Sequence, residues 1–215
     1  DITNPGALSL DTGFSGNGLK NFGINTNQED GVEPAIDGAG NIWSAITDGN
    51  RTRLRMVDPV NGTTIGASSQ NLPNNELTEN TTPIIVDSAI TAGIANDLVV
   101  VGTDGGGGAN AGRLYAYDTT TNTQLWVGNL GASSFPRGIA VAPAGSPDSG
   151  SIYLGSSQGE LHRINPATGA VDTVMLSAGD TTSTPDFDAA GNIYVSTSGG
   201  ESYKLSYDTA TSTFT

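Results

Sequence analysis

The fold is decided by the stretch Gly112-Arg113-Leu114-Tyr115-Ala116-Tyr117-Asp118-Thr119-Thr120-Thr121-Asn122-Thr123-Gln124-Leu125-Trp126. Leu114 and Ala116 alternate with Tyr115 and Tyr117, and a period of two places alternate side chains on opposite faces of a strand. The polar segment that starts at Asp118 favours a turn. The stretch therefore predicts a β-hairpin.

Weaker copies of this hairpin recur along the chain, at Arg53 to Gly62, Glu160 to Gly169 and Tyr203 to Thr211. In every copy an Asp or Asn ends the first strand, where its side chain can hydrogen-bond the backbone just ahead. The turn explains these residue types, so we interpret Asp58, Asp118, Asn165 and Asp208 as structural. The copies indicate an internal repeat.

The repeat has the period of a propeller blade. Residues at the start of the second strand, Ile42, Leu98, Ile152 and Ile193, are separated by 98 − 42 = 56, 152 − 98 = 54 and 193 − 152 = 41 positions. Repeats of about this size with four short strands are typical of β-propellers. We predict a lead-in over residues 1–31 and repeats over about 32–80, 81–134, 135–180 and 181–215.

Composition supports one all-β domain and excludes several partners. The chain has 215 residues with 30 Gly and 10 Pro, and no long period of 3.6. Its net charge of −14 repels nucleic acid and anionic membranes. It has no Cys, begins at Asp1 rather than Met, and carries no visible leader or membrane span. We expect a protein that is secreted or displayed on a bacterial cell surface.

The repeats resemble the PQQ-like, or quinoprotein-type, β-propeller repeat. Thr82-Pro83, Val99 to Gly102 and Gly112 to Trp126 match its consensus best, followed by Thr184-Pro185 with Ile193-Tyr194-Val195. The resemblance implies an all-β propeller of about four PQQ-like blades, each an antiparallel four-stranded sheet. Only Trp126 keeps the terminal Trp of the repeat, and the adjacent Cys pair of many quinoprotein dehydrogenases is absent. We therefore expect no PQQ and no other cofactor.

Catalytic signatures are absent from the sequence. The one histidine, His162, lies within a strand pattern between Leu161 and Arg163, without a motif around it. There is no Gly-x-Ser-x-Gly, no His-Glu-x-x-His and no phosphate-binding Gly-Lys-Ser/Thr. Asp186 and Asp188 form a pair of carboxylates that we place beside a hairpin turn. We predict that the protein is not an enzyme.

Two Asp-x-x-Gly-Asn segments are the weak candidates for calcium, because they offer hard oxygen ligands. They are Asp37 to Asn41 and Asp188 to Asn192, and the candidate ligands are Asp37, Asn41, Asp188 and Asn192. A tight hairpin also favours Asp and Gly at these positions, and we favour this interpretation over a metal site. Asn50, Asn61 and Asn80 begin glycosylation sequons of the kind that an Asn- and Thr-rich chain contains by chance.

Two features point to a protein interface. Arg51, Arg53 and Arg55 are three of only eight basic residues, and a strand would align them on one face. That face is either a solvated outer strand or a contact for the acidic surface of another copy. The terminal segments, with Leu8 and Leu10 near one end and Phe214 near the other, are strands through which the chain would close or associate.

The sequence thus predicts a non-enzymatic extracellular propeller scaffold for protein–protein interaction or self-assembly, as a homo-oligomer or filament. Two alternatives stay open. One is a fragment of a larger cofactor-binding propeller enzyme. The other is a carbohydrate- or calcium-dependent adhesive module.

Overall fold

A computed structural model describes residues 29–31, 33–48, 52–65, 70–72, 82–103, 111–132 and 134–215. This part of the chain consists of strands joined by turns and loops. The strands are β1 (Glu29–Gly31), β2 (Ala35–Ile36), β3 (Ile42–Asp48), β4 (Thr52–Val57), β5 (Gln70–Asn71), β6 (Ile84–Val86), β7 (Leu98–Thr103), β8 (Ala111–Asp118), β9 (Gln124–Ala132), β10 (Pro136–Val141), β11 (Ile152–Ser156), β12 (Glu160–Ile164), β13 (Val171–Met175), β14 (Asp186–Phe187), β15 (Ile193–Ser196), β16 (Ser202–Leu205), β17 (Tyr207–Asp208) and β18 (Thr213–Phe214).

The strands form successive antiparallel sheet units, which confirms the all-β prediction. Unit 1 contains β1 to β5, and unit 2 is the sheet β6-β7-β8-β9. Unit 3 is the sheet β10-β11-β12-β13. Unit 4 differs from the expected four strands, because it comprises the three-stranded sheet β14-β15-β16 and the separate β17-β18 hairpin. In unit 1, both β1 and β2 pair with β3, so part of the predicted lead-in belongs to this sheet.

A similar turn, begun by Asp or Asn, ends or follows β4, β8, β12 and β17 in the four units. The side chain of Asp118 accepts hydrogen bonds from the backbone N–H groups of Thr120 and Thr121, both at 2.8 Å. Asp58 and Asp208 accept equivalent pairs, and Asn165 accepts one bond from Ala167. Four positions after each of these residues the backbone has positive φ, at Gly62, Asn122, Gly169 and Ser212. These bonds explain why Asp or Asn recurs at the strand end.

The core lies between consecutive units, so both faces of the inner strands β7 and β11 are buried. On β8, Leu114 and Ala116 pack in a cluster shared with unit 3. Tyr115 and Tyr117, which alternate with them, pack in a cluster shared with unit 1. A third cluster joins units 3 and 4 around Tyr153. The predicted alternation is therefore observed, but it separates two apolar interfaces instead of a core face and a solvent face.

Trp126 of unit 2 contacts the turn that follows β12 in unit 3. Its Nε1 donates a 2.7 Å hydrogen bond to the carbonyl oxygen of Pro166, and its ring lies against Gly169. A Cβ added to Gly169 would lie 2.8 Å from the ring. This glycine has φ of +73°, so the turn and the close approach both favour a residue without a side chain.

Candidate functional site

His162 lies in a buried polar cluster at the start of unit 3. It is fully buried, and its Nδ1 is 2.8 Å from the Thr173 hydroxyl. Its Nε2 is 3.0 Å from Ser134 Oγ and 3.3 Å from Glu160 Oε2. Burial lowers the pKa of His162, and the neighbouring Glu160 opposes that shift only in part.

This cluster contains a serine, a histidine and a carboxylate, but its geometry is not that of a hydrolytic triad. In a triad the carboxylate contacts the ring nitrogen opposite the one that contacts the nucleophile. Here Ser134 and Glu160 both contact Nε2, and a threonine occupies the other nitrogen. Ser134 is only 1% exposed, so its hydroxyl does not reach a substrate. The cluster joins the connection before β10 to β12 and β13.

A second polar cluster, which the sequence analysis missed, joins units 3 and 4. Arg163 donates two hydrogen bonds to Asp148, at 2.9 and 2.7 Å, and its guanidinium lies 4.6 Å from the centre of the Tyr207 ring. Tyr153 donates to the same carboxylate, and Tyr207 donates to Asp172. Burial raises the pKa of Asp148, but hydrogen bonds from Arg163, Tyr153 and Ser151 outweigh it and hold that pKa below its ordinary value.

The two calcium candidates form matching turns in which protein donors surround the carboxylates. Asp37 accepts from the backbone N–H groups of Ala39 and Asn41, the side-chain amide of Asn41 and the indole of Trp43. Asp188 accepts an equivalent set from Ala190 and Asn192, with the Tyr194 hydroxyl in place of the indole. A cation would have to displace these donors. Across the described residues no group of three or more His, Asp or Glu side chains is placed to hold a metal ion.

The arginine row lies on a strand that is inside its sheet. The strand β4 pairs with β3 on one side and β5 on the other, so it is not the outer strand that the sequence suggested. Arg55 is only 6% exposed, whereas Arg53 is half-buried. Arg51 lies outside the described residues, and Arg53 is the more accessible of the other two.

Of the terminal residues predicted to form an interface, the structure describes only Phe214. Leu8 and Leu10 lie outside the described residues, as do Asn50 and Asn80. Phe214 packs edge-on against Tyr207 and Tyr153, with ring centres 5.1 and 6.3 Å apart. Its ring therefore holds the last hairpin against unit 3. Asn61 is exposed and accepts a hydrogen bond from the backbone of Thr63 within its turn.

The last hairpin supplies the outer strand of unit 4. In units 1 to 3 the third strand has an outer neighbour, which is β5, β9 or β13. In unit 4 the outer neighbour is β18 with Thr215, which pairs with Ser206, Tyr207 and Asp208 directly after β16.

Comparisons with known proteins identify the fold. No protein-family model matches the chain, and neither does any curated protein. Among solved structures, BamB from Moraxella catarrhalis superposes with a TM-score of 0.53 at 18% identity, over 84% of this chain and 47% of that one. The Dos1 propeller gives 0.53 at 15% identity, over 82% and 48%. The fold is that of a β-propeller.

A third match comes from a bacterial surface protein. PorZ, a surface component of the type-IX secretion system of Porphyromonas gingivalis, gives a TM-score of 0.55 at 16% identity, over 85% of this chain and 26% of that one. The chain thus spans about half the length of BamB and of the Dos1 propeller, and about a quarter of PorZ. At these identities the likeness establishes the propeller fold alone. In the described part of the chain, no helix has the length and hydrophobicity to cross a membrane.

Proposed function

We propose that this protein is a non-enzymatic propeller scaffold of about four PQQ-like blades, outside the cell, that binds other proteins and copies of itself through its terminal strands. The observation that carries the proposal is that the candidate catalytic groups hydrogen-bond to one another, in a propeller fold shared with proteins such as BamB and PorZ. We propose strand addition as the mode of contact, because strands exposed at a sheet edge bind further strands readily.

The polar clusters support a scaffold over an enzyme, because their groups bond to one another. Arg163 and Asp148 hydrogen-bond to each other and to Ser151 and Tyr153 within unit 3, and the guanidinium lies over the ring of Tyr207 in unit 4. His162 and Ser134 are buried within unit 3. A catalytic site needs titratable groups that a substrate can reach; His162 is fully buried, and Arg163 and Asp148 are already paired with each other. The sparse Trp and missing Cys pair support a scaffold that carries no quinone.

Light scattering of the native full-length protein tests the self-association. We expect a mass that rises with concentration beyond that of one chain, and rises further when added salt screens the charge of −14. A mass of one chain at every concentration and salt would contradict self-association. The absorption spectrum of the same material tests the absence of a cofactor, which a stoichiometric chromophore would refute.

A further inference from the structure

The turn that leads into β3, β7, β11 and β15 has two lengths in the four units. In units 1 and 4 it is short, over residues 37–41 and 188–192. In units 2 and 3 it is a loop about twice as long, over residues 87–97 and 142–151. A β-hairpin is usually closed by about two to five residues. Closing the strand pair therefore does not account for the extra residues of the two long loops.

The two long loops pack against each other on one side of units 2 and 3. Ser149 Oγ donates a 2.9 Å hydrogen bond to the carbonyl oxygen of Ile90. Thr91 packs directly on Gly150, where an added Cβ would overlap the threonine side chain. The loops and the turn that follows β12 enclose a cleft of about 310 Å³. This volume lies at the lower end of the range for small-molecule sites.

Asn165 gives the cleft a hydrogen-bond donor that the corresponding residues of the other units lack. Those residues are Asp58, Asp118 and Asp208, whose carboxylates only accept. Asn165 lines the cleft, and its Oδ1 accepts a 2.9 Å bond from the backbone N–H of Ala167. Its Nδ2 has no hydrogen-bond partner among the residues that the structure describes. The bond at Oδ1 orients the amide, so Nδ2 is positioned to donate to a ligand.

The lining of the cleft carries no net charge. Its ionic groups are Arg163 and Asp148, which pair at 2.7 Å. Hydroxyl groups come from Thr91, Ser149 and Ser151, and apolar surface comes from Ile90, Pro147 and Pro166. Arg163 repels a cation, and the chain's net charge of −14 repels an anion. The cleft therefore favours a neutral ligand that has both hydroxyl groups and apolar surface.

We infer that this cleft binds a neutral sugar. A pyranose ring carries hydroxyl groups around its rim and C–H groups on its faces, so it matches a lining that combines polar groups with apolar side chains. Asn165 Nδ2 can donate to a sugar hydroxyl, and half-buried Ser149 Oγ, which donates to Ile90, can accept from one. This inference goes beyond the proposed scaffold and does not depend on self-association, because the cleft is formed by units 2 and 3.

Saturation-transfer NMR on the full-length protein tests the ligand class with matched sugars. Galactose, galacturonate and galactosamine form one set that differs chiefly in charge, and glucose, glucuronate and glucosamine form another. We expect saturable binding of galactose or glucose with a Kd of about 1 mM or below, and at least about threefold weaker binding of its charged forms. The inference is overturned if neither neutral sugar binds. It is also overturned if a charged form binds as tightly as its neutral parent.

Asn165→Asp tests the site while keeping the turn, because Asp begins the equivalent turn in the other units. The variant replaces the donor Nδ2 by an anionic acceptor. We expect the Kd for the neutral sugar to rise at least about tenfold, with little change in urea unfolding. Asn61→Asp is the matched control, since Asn61 also accepts a backbone bond within a turn, from Thr63, and does not line the cleft. Equal losses in the two variants would attribute the effect to net charge and refute the site.

Ala92→Leu tests the cleft by filling it. Ala92 is exposed and lines the cleft, so a leucine there occupies part of the volume without overpacking the core. Ala89→Leu is the control, because Ala89 is exposed on the same loop but does not line the cleft. We expect Ala92→Leu to weaken binding at least about tenfold and Ala89→Leu to leave it unchanged. Sugar binding that survives both Ala92→Leu and Asn165→Asp would lie elsewhere on the protein, and the cleft assignment would be wrong.

Discussion

The contact between Trp126 and Gly169 stabilises the interface between units 2 and 3. Gly169→Ala should lower the free energy of unfolding for two reasons. Its φ of +73° is unfavourable for alanine by about 1 kcal/mol. The new Cβ would also lie 2.8 Å from the Trp126 ring, and overpacking of this kind costs about 1–3 kcal/mol. We expect a total loss of about 2–4 kcal/mol.

Gly145→Ala is the matched control, because its φ of +83° is similar and a Cβ there meets nothing within 4 Å. It should cost only about 1 kcal/mol. Urea unfolding followed by far-ultraviolet circular dichroism measures both losses. If the two variants lose equal stability, the packing of Trp126 on Gly169 does not contribute and the reasoning is wrong.

A double-mutant cycle isolates the contact further. Trp126→Leu removes the ring and its hydrogen bond to the Pro166 carbonyl, so it is destabilising by itself. In that background Gly169→Ala should cost about 1 kcal/mol, as at Gly145, because only the backbone penalty is left. A coupling free energy of about 1–3 kcal/mol is therefore expected between positions 126 and 169.

Three further predictions concern turns and polar clusters, each measured by urea unfolding. Asn122 has φ of +55°, so Asn122→Gly should be about 1 kcal/mol more stable than Asn122→Ala, which loses the same side-chain contacts. Arg163→Met should cost about 2 kcal/mol by leaving half-buried Asp148 without its cation and the guanidinium hydrogen bonds. Because the pKa of Asp148 is lowered, that difference should be present above pH about 4 and shrink below it. Burial lowers the pKa of His162, so the unfolded chain binds more protons than the native one near neutral pH. The free energy of unfolding should therefore fall as the pH drops below about 6.5, and His162→Asn should remove this dependence.

Local rules predicted the repeating hairpins from the sequence. An Asp or Asn at a strand end specifies the turn through bonds to the next backbone N–H groups, and all partners lie within three residues. Alternation likewise predicted the two faces of β8. The turns and the alternation depend on residues that are close in the chain, so they can be predicted from a single sequence.

The clusters between units could not be predicted in the same way. The carboxylate of Asp148 bonds to Arg163, fifteen positions away, and the ring of Tyr207 lies over that arginine from another unit. Nothing in the local pattern around Asp148 distinguishes it from the turn carboxylates. The prediction that the arginine strand is an outer one was wrong for a related reason, since β5 pairs with β4 through residues 16 and 18 positions away, Leu54 with Gln70 and Arg53 with Asn71.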